Sequence, residues 1–231
     1  MSRALEILDR LIAVPTVSAD SNLPLIDHAE ALLRAAGWRV TRLDDPDMPK
    51  AGLYAETGPP GPGGLLLSAH TDVVPADGQA WTRPPFRLTR AGDRLYGRGT
   101  TDMKGFVAAM LETAERVPPL REPLKLVLSY DEEVGCTGIA RMMDRLAPLM
   151  GAPRLALVGE PTQMQVATGH KGKRGFAAVA HGQAGHSALA PRFVNALGVA
   201  ARVVRALEAL QAELAETGGR DDAYAVPYAT V

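Results

Sequence analysis

The chain has 231 residues, of which 46% are hydrophobic and 22% are charged, and its formal net charge at pH 7 is -1. This composition is typical of a globular protein with enough apolar residues for a sizeable core. The near-neutral charge gives no reason to expect nucleic acid or an anionic membrane as a partner.

The cysteine content and the N-terminal sequence indicate the cellular compartment of the protein. The single cysteine, Cys136, excludes an internal disulfide framework and fits a reducing environment. Charged residues such as Arg3 and Arg10 interrupt the first ten positions, so we expect no signal peptide. No stretch approaches the roughly 18 apolar residues of a spanning helix. We therefore expect a cytoplasmic protein.

The predicted elements alternate between helix and strand along the first 172 residues. Apolar periodicity predicts helices over 5–12, stopped by Pro15, and over 25–36, closed by Gly37. A third helix is predicted over 103–117, after a glycine-rich loop. Extended segments are predicted over 38–43, 53–55, 65–69, 124–130 and 155–158, the last three as buried strands. The alternation favours an α/β fold with a mostly parallel sheet and flanking helices.

After residue 172 the pattern changes. A strand is predicted over 175–180, a long helix over 195–216, and the start of another strand over 224–231. We therefore predict one domain over 1–172 and a second, smaller α+β domain over 173–231.

Histidine and acidic residues follow several of the predicted strands. His70 ends the strand at 65–69, Glu132 and Glu133 follow the strand at 124–130, and Glu160 follows the strand at 155–158. The carboxyl ends of parallel strands meet at one edge of a sheet, where ligands gather. We therefore expect these side chains to lie close together.

Each of these residues also has a structural interpretation. A lone histidine at a strand end is commonly a hydrogen-bonded structural residue, and Asp72 could cap a turn. Asp102 could be the N-cap of the following helix, and the glutamates could be solvated. These interpretations do not explain why all of the residues meet at one edge. Imidazole and carboxylate ligands favour a divalent metal such as zinc, cobalt or manganese.

Spacing within the set assigns roles. Asp72, two residues after His70, lies on the same face of an extended strand and could fix the tautomer of the histidine. The adjacent Glu132 and Glu133 fit a division into a general base and a metal ligand.

Five motifs in this order resemble the dinuclear metal amidohydrolases: SAHTDVVP, GRGTTDMKGF, YDEEVGCTG, GEPT and HKGKRG. That family includes acetylornithine deacetylases, succinyl-diaminopimelate desuccinylases, aminoacylases and carboxypeptidases. The resemblance implies a catalytic domain over 1–172, with a dimerisation (lid) domain beginning at 173. It also implies two divalent metal ions, zinc or cobalt.

The resemblance implies a role for each matching residue. His70 and Glu160 would bind the first metal, Asp102 would bridge both metals, and Glu133 would bind the second. Asp72 would orient His70, and Glu132 would be the general base and then the acid. A cis peptide is expected after Asp102.

His186 matches a histidine that dimers of the family send into the partner's active site to stabilise the oxyanion. A surface histidine is the alternative interpretation. Lys173 and Arg174 could meet a substrate carboxylate, or could be solvated. We expect Cys136 to be a small buried residue with no nucleophilic role.

Within the family, the acetylornithine deacetylase branch fits best. It implies a homodimer that hydrolyses N2-acetylornithine, a small N-acyl amino acid, to ornithine and acetate in arginine biosynthesis. Desuccinylation of succinyl-diaminopimelate and a broader aminoacylase activity remain alternatives. The resemblance also implies that the chain ends inside the dimerisation domain and lacks one histidine of the second metal site. The alternative from another functional class is therefore a non-catalytic remnant that binds metal or forms dimers.

Overall fold

The computed structural model of the protein describes residues 2–231 and divides into two compact units. Unit 1 extends to Lys171, and unit 2 is Gly172–Val231. Among the described residues, no helix is both long enough and apolar enough to cross a membrane.

Unit 1 contains four α-helices and seven strands among its described residues. The helices are α1 Arg3–Ile12, α2 Leu23–Ala35, α3 Lys104–Ala114 and α4 Thr137–Met150. The strands are β1 Arg39–Asp44, β2 Ala51–Thr57, β3 Leu65–His70, β4 Thr89–Ala91, β5 Arg94–Tyr96, β6 Leu124–Ser129 and β7 Leu155–Val158.

Five strands form the central sheet, in the order β1-β2-β6-β3-β7. Strands β6, β3 and β7 are parallel to one another, and β2 pairs antiparallel with both β1 and β6. Four strands therefore share one direction, which confirms the prediction of a mostly parallel sheet. Because His70 pairs with Ser129 and Ser68 pairs with Val158, β3, β6 and β7 end at the same edge.

Helices cover both faces of this sheet. On one face, α1, α2 and α3 enclose the larger apolar core, to which β6 contributes Leu126 and Leu128. On the other face, α4 packs Met142 and Leu146 against Val127. Successive side chains of a strand point to opposite faces, so one strand serves both cores. The sheet is thereby held rigid while its carboxyl edge carries the polar side chains.

The predicted elements of unit 1 need three corrections. The segment 155–158 is a strand, as predicted, but it is not buried: Leu155, Leu157 and Val158 are exposed. β7 lies at the edge of the sheet, and an apolar strand sequence does not reveal whether a neighbouring layer covers it. Helix α4 and the β4–β5 hairpin were not predicted. Pro148 lies within α4, and a proline inside a segment argues against a helix there.

Unit 2 differs from its prediction in its strands. The long helix is present as α5, Ala196–Thr217, capped by the Asn195 side chain, which accepts from the amide of Leu197 at 2.9 Å. The predictions of strands over 175–180 and 224–231 are wrong, because neither segment pairs with another strand. A strand needs a pairing partner, and within Gly172–Val231 the described backbone supplies none.

Candidate metal centre

His70 is the last residue of β3 and is buried, with 2% of its surface exposed. Its Nδ1 lies 3.0 Å from the backbone carbonyl of Asp72, which can only accept a hydrogen bond. Nδ1 therefore carries the proton, and Nε2 is left as the metal-binding atom. The Asp72 carboxylate is at 3.4 Å from Nδ1, so the carbonyl is the nearer partner of the ring.

Asp102 and Glu160 face the free side of this imidazole. Asp102 Oδ1 lies 3.0 Å from His70 Nε2, and Glu160 Oε1 lies 3.9 Å from the same atom. Asp102 is in the loop between β5 and α3, and the Asp102–Met103 peptide bond is cis, as expected. Met103 is fully buried, and its sulfur accepts from the His70 amide at 3.3 Å.

Glu132 and Glu133 form the turn that follows β6. Their amides donate to the two oxygens of the Asp72 carboxylate, at 3.0 and 3.2 Å. One ligand atom from each of His70, Asp102 and Glu133 lies within 4.8 Å of the other two. Asp72 thus fixes both the histidine and the acidic turn, a second role that its spacing from His70 did not indicate.

Electrostatics of the cluster favour a cation. Burial by itself lowers the pKa of His70, but the hydrogen bond and charge of Asp72, together with Glu160 and Asp102, outweigh it and raise that pKa to about 9. Burial and the charge of Asp102 raise the pKa of Glu133. Burial raises the pKa of Glu160, and Asp102 adds to the effect. Carboxylates crowded around an imidazole nitrogen in this way retain their charge most readily around a positive ion.

This donor set fits a divalent metal ion. One imidazole nitrogen and several carboxylate oxygens are ligands that zinc, cobalt and manganese accept, and no thiolate is required. The fully buried Lys104 braces the ligand loop, because its ammonium donates to the carbonyls of Leu11 and Val14 at the end of α1. The ligands are therefore positioned by the fold itself.

A cavity of about 250 Å³ adjoins the cluster. Asp102 and Glu133 line it together with Val74 and residues 97–101. The glycine-rich loop thus borders the space next to the ligands, where a small molecule could lie against them.

The remaining predicted residues lie elsewhere or differ from expectation. His186 is in unit 2, where its Nδ1 accepts from the amide of Ala188 at 3.2 Å. Lys173 and Arg174 are exposed in unit 2. The expectation that Cys136 is buried is wrong: it is exposed, with its sulfur 3.4 Å from Glu132 Oε1. Cys136 directly precedes helix α4 at the surface.

Sequence reasoning missed several residues that hold the cluster in place. The most important are Ser18, whose hydroxyl donates to Asp72 Oδ2 at 2.6 Å, and the buried pair of Lys50 and Asp131. Asp131 directly precedes the two glutamates, so its position in the motif was a usable signal. Ser18 and Lys50 are far from the motifs in sequence and gave no such signal.

Comparison with known proteins identifies the family. The model of peptidase family M20/M25/M40 matches residues 66–229, which contain all four proposed metal ligands. The chain belongs to this family. The resemblance carried by the motifs is thereby confirmed at the level of the family.

Relatives within the M20/M25/M40 family extend the likeness to the whole chain. An acetylornithine deacetylase of Klebsiella pneumoniae (strain 342) is 39% identical over 236 residues, covering 98% of the chain and 60% of the relative. One of Myxococcus xanthus is 38% identical over 229 residues, covering 97% of the chain and 59% of the relative. The chain thus spans about 60% of the length of these relatives.

Solved structures agree on the fold. An M20 family metallo-carboxypeptidase from Sulfolobus solfataricus superposes with a TM-score of 0.60 at 24% identity, covering 69% of this chain and 37% of that one. Human carnosine dipeptidase 1 superposes with a TM-score of 0.54 at 26% identity, covering 62% of this chain and 34% of that one. These structures therefore share the mixed α/β fold of the chain.

Proposed function

We propose that the protein is a metal-dependent amide hydrolase that removes the acetyl group from N2-acetylornithine, giving ornithine and acetate. The observation that carries this proposal is the convergence of ligand atoms from His70, Asp102 and Glu133 within 4.8 Å at the carboxyl edge of the sheet. The choice of substrate is supported by the acetylornithine deacetylases that are 38–39% identical over nearly the whole chain.

The residues that would hold metal follow from the ligand atoms. His70, Asp102 and Glu160 would bind a first ion, and Asp102 and Glu133 would share a second, with zinc or cobalt as the proposed metals. When bound, such ions supply Lewis acidity toward the amide carbonyl and lower the pKa of the attacking water. Asp72 keeps Nδ1 of His70 protonated through its carbonyl, so that Nε2 remains the donor atom toward metal.

Glu132 is the proposed general base. Its amide is fixed by Asp72 Oδ1, and its neighbour Glu133 belongs to the ligand cluster, whereas Glu132 is not one of the grouped ligands. It would take the proton from the attacking water as the new carbon–oxygen bond forms. It would then give that proton to the amine nitrogen as the carbon–nitrogen bond breaks.

We further propose the setting in which this chemistry takes place. Residues 1–172 would form the catalytic domain and 173–231 the dimerisation (lid) domain of a cytoplasmic homodimer that serves arginine biosynthesis. His186 would stabilise the oxyanion across the dimer. The motif resemblance supports these points. Mass measurement by light scattering tests the dimer, and kcat of His186→Ala tests the histidine.

One experiment tests the reaction. The purified protein is stripped with a chelator, supplied with zinc or cobalt, and assayed on N2-acetylornithine, N-succinyl-diaminopimelate and carnosine. We expect hydrolysis only with metal, and the highest kcat/KM on N2-acetylornithine. A higher kcat/KM on the succinyl substrate would overturn the substrate assignment, and two bound metal ions without turnover of any substrate would favour a non-catalytic metal-binding protein.

A further inference from the structure

Lys50 places a buried positive charge beside the proposed active site. It precedes β2, only 5% of its surface is exposed, and its ammonium donates to the carboxylate of Asp131 and to the backbone carbonyl of Ser18. Asp131 is likewise 5% exposed. A buried charge is tolerated only when it is paired and hydrogen-bonded, so both partners are required. Lys50 is neither one of the proposed metal ligands nor one of the proposed catalytic residues.

Both partners of Lys50 belong to segments that hold Asp72. The Ser18 hydroxyl donates to Asp72 Oδ2 at 2.6 Å, and the amides that follow Asp131 donate to both oxygens of the same carboxylate. The contacts therefore form a closed ring, which we call the Lys50 ring: Lys50, Ser18, Asp72, Glu132 and Asp131. Lys50 is the member that ties the N-terminal segment to the acidic turn.

The acidic turn requires support because its first residue is strained. Asp131 has a φ of 56°, in the left-handed region that non-glycine residues seldom occupy. This conformation redirects the chain after β6, where the next two amides donate to Asp72 and the Glu133 side chain joins the metal cluster. The ion pair with Lys50 holds the Asp131 side chain in place.

We propose that Lys50 is a positioning residue that sets the orientation of Glu132 and Glu133 through the Lys50 ring, before any metal binds. The inference rests on the proposed function for its catalytic consequence but not for its structural one. Removing the ammonium should free the Asp131 turn and loosen the two amide bonds to Asp72. The general base and one metal ligand would then lose their fixed positions together.

Lys125 provides a matched control. It is fully buried in β6, and its ammonium donates to the carbonyls of Gly61 at 2.8 Å and Met150 at 2.6 Å, at the opposite end of the sheet from the metal cluster. Lys50→Met and Lys125→Met therefore each remove one buried ammonium ion, but only the first change affects the Lys50 ring.

The first measurement is amide hydrogen exchange in the metal-free protein. We expect Lys50→Met to speed exchange at Glu132 and Glu133 about tenfold or more relative to Lys125→Met, because each amide depends on one hydrogen bond to a carboxylate. The amides of Leu126 and Leu128 report global opening and should respond equally in the two variants. Equal exchange at Glu132 and Glu133 in the two variants would overturn the inference.

The second measurement is zinc affinity, with kcat and KM on N2-acetylornithine. Lys50→Met should weaken zinc binding about 10- to 100-fold, as loss of groups that orient ligands does, and lower kcat with KM nearly unchanged. Lys50→Arg, which retains the charge, should recover part of both. If the wild-type protein hydrolyses no substrate while exchange and zinc affinity change as expected, the proposed function fails and the inference stands.

If Lys50→Met does not fold, two other substitutions in the Lys50 ring test the same inference. Asp131→Asn keeps the shape of the side chain and removes the ion pair with Lys50. Ser18 is half-exposed, and Ser18→Ala removes only the hydroxyl that contacts Asp72. We expect Asp131→Asn to speed exchange at both glutamate amides and Ser18→Ala to speed it less, chiefly at Glu133. If neither variant alters exchange at these amides, the ring does not position the turn.

Discussion

Two groups of carboxylates lie along the same edge of the central sheet, and their surroundings are opposite. Asp45 follows β1 and is saturated with donors: Tyr130 and Arg141 Nε at 2.6 Å, Arg141 Nη2 at 3.0 Å, and two backbone amides within 3.1 Å. In the metal centre, Asp102, Glu133 and Glu160 instead gather around one imidazole nitrogen.

The pKa values separate the two groups. Hydrogen bonds from Arg141, and then from Tyr130, outweigh burial and hold the pKa of Asp45 well below its usual range. Burial and neighbouring carboxylates raise the pKa values of Glu133 and Glu160. Burial of a carboxylate therefore does not identify a functional site. A saturated carboxylate stabilises the fold, whereas carboxylates that repel one another indicate a site that binds a cation.

The largest expected effect is on Glu132, the proposed general base. Glu132→Gln should lower kcat about 10²- to 10⁴-fold, because the variant cannot accept the proton of the attacking water. Steady-state kinetics on N2-acetylornithine, with elemental analysis of bound metal, checks this. Asp45→Asn is the control and should leave kcat unchanged. Loss of metal together with activity would make Glu132 a ligand instead of the base.

Asp102 should affect metal binding and not folding. Asp102→Asn should weaken zinc binding by more than about 100-fold, exceeding the loss typical of groups that merely orient ligands. The metal-free variant should be at least as stable as the metal-free wild type, because one of the crowded negative charges is removed. Competition with a chelating dye gives the affinity, and urea unfolding gives the stability. Marked destabilisation of the metal-free variant would mean that Asp102 stabilises the fold, as Asp45 does.

Asp45 should show the reverse pattern. Asp45→Asn should lower the free energy of unfolding by about 2 kcal/mol, since it weakens charge-assisted bonds to Arg141 and Tyr130 at a fully buried carboxylate. Zinc affinity should not change. The exposed neighbour Asp44 is the matched control, and Asp44→Asn should change stability by less than about 0.5 kcal/mol. Urea unfolding of both variants shows whether a carboxylate at this end of β1 stabilises the fold only when it is buried and fully hydrogen-bonded, or through its charge alone.

The smallest expected effect concerns pH. Because the pKa of Asp45 is depressed in the folded state, its contribution is fully present above the unfolded value of about 3.9 and is lost as pH falls toward the folded value. The stability difference between wild type and Asp45→Asn should therefore be constant from pH 7 to 5 and shrink near pH 3. Urea unfolding across this range, at fixed ionic strength and without metal, measures it. A difference that grew on acidification would mean that Asp45 is not held ionised by its donors.

The sequence predicted most of unit 1, because its helices and strands combine apolar periodicity with clear terminating residues. Gly37 closes α2, and β3 and β6 are mostly apolar segments. The predictions failed where a local pattern needs a distant partner. The segments at 175–180 and 224–231 have extended patterns without pairing, and β7 is apolar without being covered.

His70, Glu133 and Glu160 of the candidate metal centre were predicted from the rule that parallel strands end at one edge, because ligand types and strand ends can be recognised locally in the sequence. Asp102 lies in a loop, and its role as a ligand came from the resemblance of its motif to the family. The sequence by itself thus determined the family, the order of the elements and the identity of the acidic and histidine residues. The tertiary structure alone decided which carboxylates are saturated and which converge, and that Lys50 and Ser18 close a ring around Asp72. Those properties depend on contacts between segments separated by tens of residues, which no local pattern encodes.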